Sequence, residues 1–109
     1  MEELYKQEIF ELTELLNEEW DDLKSILIQA GIDLRRTALA SFMEDEDENE
    51  YGVLVNKDLK ILQYERKTQE AKNNIENFKM FDITENEEEL IKYPQIAVAI
   101  DMIKNGEIL

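Results

Sequence analysis

The segment Glu44-Asp45-Glu46-Asp47-Glu48-Asn49-Glu50 places an oxygen-bearing side chain at every position, and a hard cation takes oxygen ligands. Asp45, Asp47, Asn49 and Tyr51 fall at positions 1, 3, 5 and 7 of a calcium-binding loop of the EF-hand kind. Position 6 is then Glu50, where the sharp turn needs glycine, and position 12 is Asn56, where a bidentate glutamate belongs. A calcium site is therefore the weakest of three readings. The stronger two are a solvated hairpin tip and an acidic recognition loop for a basic partner. A second cluster, Glu18-Glu19-Trp20-Asp21-Asp22, sets the one tryptophan of the chain among four carboxylates. Trp20 reads as the core anchor of a corner between two elements. The alternative is an exposed aromatic anchor rimmed by acids, the composition of a binding hot spot.

The residues that are missing restrict the chemistry further. With no cysteine there is no disulfide, thiolate nucleophile or zinc–sulfur site. With no histidine the commonest general base and transition-metal ligand are gone as well. Ser25 and Ser41 lack a G-x-S-x-G context, and Gly31, Gly52 and Gly106 stand too far apart to form a phosphate-cradling loop. Carboxylates, lysines and tyrosines remain. A carboxylate-only hydrolase can be written down, but the expectation is that the chain is not an enzyme and carries no cofactor.

Charge points to the class of partner. Residues 1–55 hold 16 acids and 4 bases, a net of −12, while residues 56–109 contribute only −3 of the total −15. Such a field repels nucleic acid and anionic lipid and steers basic proteins inward. It also serves solubility. Direct binding to DNA or RNA is disfavoured, since that needs lysine and arginine on the phosphates. No stretch reaches the roughly 20 apolar residues of a membrane span. The start, Met1-Glu2-Glu3-Leu4-Tyr5-Lys6, lacks the basic and apolar regions of a signal peptide, so a cytoplasmic location is expected. The residues assigned to a recognition surface are Glu18, Glu19, Asp21, Asp22, Glu44, Asp45, Glu46, Asp47, Glu48 and Glu50. The sequence sets no oligomeric state.

The elements that would position these residues form one α+β domain over residues 1–109. It comprises an N-terminal amphipathic helix, an antiparallel meander of about four strands and short C-terminal helices. Tyr5, Ile9, Leu12 and Leu16 make the helical stripe of residues 2–19. A helix continuing from 2 to 30 would run roughly 43 Å at 1.5 Å per residue, too long for a domain this small. A break is therefore expected near Glu19–Asp22. The segment Ser25–Ala30 is read as a strand from its run Ile26-Leu27-Ile28. The competing reading is a helix through Leu23, Leu27 and Ala30, capped by Gly31. Further strands are expected at Thr37–Met43, Tyr51–Val55 and Leu59–Glu65, with Asn56-Lys57-Asp58 as a turn. Helical spacing over 57–78 competes with that hairpin. Tyr51 and Tyr64 are expected to face each other across two strands. The acidic run 44–50 should be a wholly solvated loop. A short helix over 67–77, an extended segment Phe78–Ile83, a capping box at Thr84 and Glu87 opening a helix to Lys92, and a last helix Pro94–Asn105 complete the chain. Ile96, Ile100 and Ile103 should line the buried side of that last helix.

Glu3-Leu4-Tyr5, Glu8-Ile9, Leu16-Asn17-Glu18-Glu19-Trp20-Asp21, Ile28-Gln29-Ala30-Gly31-Ile32 and Ala40-Ser41-Phe42-Met43 together resemble the opening of the YezG-like immunity proteins. The resemblance covers residues 3–43. Asn17 stands where that family usually has proline. The resemblance implies a helix, a tryptophan corner at Trp20 and two following strands. It also implies a cytoplasmic antidote that binds and silences a toxin, often a secreted nuclease, with no catalytic residue to carry over. Composition and resemblance converge on a non-enzymatic inhibitor of a basic protein partner. The alternatives are a phage-type DNA mimic directed against a host nuclease and a self-associating structural protein.

Overall fold

The computed structural model describes residues 2–67, 75, 77–82 and 94–108. Among these, the elements run α1 (Glu2–Glu18), α2 (Asp21–Gln29), β1 (Ala38–Glu44), β2 (Asn49–Val55), β3 (Lys60–Lys67), β4 (Asn77–Asp82) and α3 (Pro94–Lys104). The four strands form an antiparallel meander in the order β1-β2-β3-β4, and the fold is α+β. The hairpin reading of 57–67 holds. Most of the helix expected over 67–77, and the capping box with its helix to Lys92, lie outside the described residues. Lys67 and Asn77 themselves belong to β3 and β4.

The sheet is apolar on both faces, and each face has its own core. Ala38, Val55 and Ile61 stand in register on the first face and pack with Ile9, Ile96 and Met102. Leu39, Leu54 and Leu62 stand in register on the second and pack with Leu16, Leu23 and Leu27. The helix α1 lies along the outer edge of β1 and feeds both cores, Ile9 one and Leu16 the other. The register slips between Leu39 and Ser41, a bulge that frees a backbone N–H at the edge. Thr13 Oγ1 accepts the Leu39 N–H at 3.0 Å, so the helix satisfies the strand it covers. Ile96, Ile100 and Ile103 are buried as expected. Ala99 and Met102 are buried too, since α3 is held between α1 and the sheet. The Arg36 guanidinium donates to the Ile103 carbonyl at 2.7 Å and fastens the end of α3.

Residues 21–29 form a helix, which corrects the strand expected over Ser25–Ala30. A strand would have put Ile26 and Ile28 on one buried face. Instead Leu23 and Leu27, four apart, are fully buried, and Ile28 is 58% exposed. Burying two leucines contributes about 2 kcal/mol each, more than the weak β preference of Ile-Leu-Ile. Asp21 and Asp22 suit the positive end of the helix. At the other end Gly31 takes φ +84°, with Ile32 N–H on Leu27 O at 3.0 Å and Gly31 N–H on Ile28 O at 2.9 Å. That Schellman cap stops the helix. The chain does break after Glu18, as the length of a single helix required. The meander reaches four strands through β4 rather than through residues 25–30.

Tyr51 and Tyr64 do not face each other. Tyr51 pairs with Glu65 and Tyr64 with Gly52, so their side chains lie on opposite faces. The Tyr64 ring lies over Gly52, where a Cβ would run into Cε1 and Cζ. Glycine is needed there for that close approach.

Candidate acidic interface

The corner after α1 is built on Trp20. Its ring packs on Phe42 of β1, centroids 4.6 Å apart at 57°, and joins the core of the second face. Trp20 is thus the structural anchor of the corner, which places Glu18, Glu19, Asp21 and Asp22 outward around it, all exposed. Phe42 is only two residues from Glu44, so the corner lies beside the β1–β2 hairpin.

That hairpin turns on Asp45. The Asp45 N–H donates to Asn49 O at 3.0 Å and the Glu48 N–H to Asp45 O at 3.1 Å, with Glu48 at φ +65°. The Asp45 carboxylate accepts the N–H groups of Asp47 and Asn49, each at 2.9 Å, the Asn49 amide at 3.1 Å and the Tyr51 hydroxyl at 3.2 Å. These bonds, the Asn49 N–H foremost, hold its pKa below the usual aspartate value. Asn56 plays the same part in the β2–β3 hairpin, accepting the N–H groups of Asp58 and Lys60 at 3.0 Å, with Leu59 at φ +59°. Chain geometry therefore accounts for Asp45, and among the described residues no group of three or more acids is placed to hold a metal ion.

Arg66 joins the two clusters. It stands opposite Glu50 in the β2–β3 register, and its Nε and Nη2 each donate to a Glu50 oxygen at 2.8 Å. Its Nη1 donates to Asp22 of α2 at 2.7 Å. Burial opposes charge on the guanidinium, and the bonds to Glu50 and then Asp22 outweigh it and raise its pKa. The acids 18–22 and 44–50, some twenty residues apart in the chain, are thereby held at one end of the molecule.

The structure places the expected recognition residues unequally. Glu44, Asp45, Glu46, Asp47 and Glu48 are exposed with the corner acids. Glu50 is not on the surface. It is 7% exposed and held by Arg66, which corrects the expectation of a wholly solvated loop over 44–50. A carboxylate can be buried when a bidentate arginine satisfies it. Asp22 divides itself between solvent and Arg66. Glu18, Glu19, Asp21, Glu44, Glu46 and Asp47 remain outward with no ion pair among the described residues. Sequence reading missed Arg66, though a signal existed. Leu62, Tyr64 and Arg66 alternate onto one face of β3, and an arginine continuing a buried stripe requires acids close by. No protein-family model matches the chain, and comparison with curated proteins and with solved structures yields no match.

Proposed function

We propose that this chain is a non-enzymatic binding protein that neutralises a protein with a basic surface, such as a nuclease toxin, through its acidic end. The observation that carries this reading is the Arg66 bridge. It spends one buried cation to hold α2 against the hairpin, so that six outward carboxylates share one surface. A nuclease presents a basic cleft to hold phosphate, and such a surface complements that cleft. The resemblance of residues 3–43 to toxin-immunity proteins supports the same class. A phage-type DNA mimic would use the same surface on a host nuclease.

The test is capture of a basic partner from lysate in steps of rising salt, then titration of the purified partner. Replacing Glu18, Glu19, Glu46 and Asp47 by their amides should weaken binding by about 100-fold and flatten its salt dependence. Equal affinity and equal salt slope for the two forms would reject the acidic surface as the binding site. A self-associating structural role is the second reading, favoured by Phe78 and Met80, exposed at 46% and 42% on β4, the last strand of the described sheet. Sedimentation decides it, since a stable homo-oligomer that covers the acidic end leaves no surface for a basic partner.

A further inference from the structure

On the first face of the sheet, α3 packs over the row Ala38, Val55 and Ile61 and begins at Pro94. Past that end no described residue lies over the sheet, and a cavity of about 370 Å³ opens there. Its apolar lining comes from Met43, Tyr51, Val53 and Ile96. Met43 is 63% exposed, a large apolar side chain directly preceding the acidic turn. Tyr51 joins the two features, since its ring lines the cavity while its hydroxyl donates to the Asp45 carboxylate at 3.2 Å. Cavity and turn are therefore one continuous surface, with an apolar centre and an acidic rim at the hairpin end. Glu65 of β3 and Lys79 of β4 line the far side, so both signs of charge bound the opening. An apolar centre bounded by charge is the anatomy of a protein-binding anchor. The flexible thioether of a methionine lets such a centre fit an incoming side chain.

We propose that this cavity, rather than the Trp20 corner, anchors the partner, and that it takes an apolar side chain flanked by lysine or arginine. The flanking cations lie on Glu46 and Asp47 of the turn, and Lys79 meets a main-chain carbonyl at the other end. The inference rests on the reading of a basic protein partner and adds to it where the contact is centred. A free anion is the wrong occupant, because the acidic rim repels it.

The test is a nitrogen-15 NMR titration of the full chain with two defined pentapeptides capped at both ends. One has the sequence KLKFK and the other KSKSK. The first should bind about tenfold more tightly than the second, the size of effect expected for seating one apolar side chain. It should shift the amides of Met43, Tyr51, Val53 and Ile96 together with those of the turn. Met43→Ser, an exposed position whose change leaves the fold intact, should remove most of that tenfold difference. Equal binding of both peptides, with shifts confined to the turn, would overturn the cavity as anchor and leave the acidic-surface reading standing. No shift from either peptide at millimolar concentration would overturn the anchor and the acidic surface together.

Discussion

Removing the Arg66 guanidinium takes from the Glu50 carboxylate, 7% exposed, the bidentate partner that satisfies it. Arg66→Met should therefore cost about 3–5 kcal/mol in urea unfolding, while the double change with Glu50→Leu should recover most of that loss. The comparison separates the bridge from its parts. A buried ion pair adds little over an apolar pair, and leaving one charge alone is what destabilises. Tyr64 gives the opposite case on the same face. Its hydroxyl is buried with no hydrogen-bond partner among the described residues, and Tyr64→Phe should stabilise the fold by about 1 kcal/mol. Burial first, and the charge of Glu50 second, push the Tyr64 pKa above the ordinary value of 10.0. The folded state thus holds a proton that the unfolded state releases. This contribution is complete below pH 10 and is lost as pH rises beyond it. A urea midpoint that falls above pH 10 in the wild type, and falls less in Tyr64→Phe, is the expected result.

The elements depend on a few polar contacts at their edges. Thr13 supplies the acceptor for the bulged edge of β1, and Thr13→Val keeps the volume but leaves the Leu39 N–H buried and unpaired. The expected cost is about 1–3 kcal/mol, with faster hydrogen exchange along β1 as its local mark. The sequence showed α1, β2 and α3 clearly, because each carries a period that only one structure satisfies, whereas β3 lay in a stretch that fits a helical period as well. For α1 the period is Tyr5, Ile9, Leu12 and Leu16, and for β2 it is Tyr51, Val53 and Val55. It misled over residues 23–30, where three branched or bulky apolar residues in a row fit either period. Which of them meets the core depends on tertiary contacts, and the observed burial of Leu23 and Leu27 alone is a helical choice. The acidic runs were legible as surface. The exception within them was not, since Glu50 is buried only because β3 brings Arg66 opposite it, a contact sixteen residues away in the chain. Trp20 as a corner could be read locally, because a bulky aromatic at a break between elements has few other places to pack.

At the scale of the whole molecule, a net charge of −15 sets folding against binding. Six outward carboxylates held at one end repel each other, and no ion pair among the described residues offsets that repulsion. If these charges served the fold, neutralising them would weaken it. If they serve a partner, neutralising them should relieve strain that the fold tolerates for that purpose. The combined variant Glu18→Gln, Glu19→Gln, Glu46→Gln and Asp47→Asn should therefore raise the urea midpoint at low salt. The advantage should shrink toward zero near 1 M sodium chloride, where the screening length falls to about 3 Å. The same variant should lose the basic partner. A gain in stability together with a loss of binding marks the acidic end as a surface kept for recognition. A variant that unfolds more easily at every salt concentration would make those acids part of the scaffold, and the basic-partner reading would lose its physical ground.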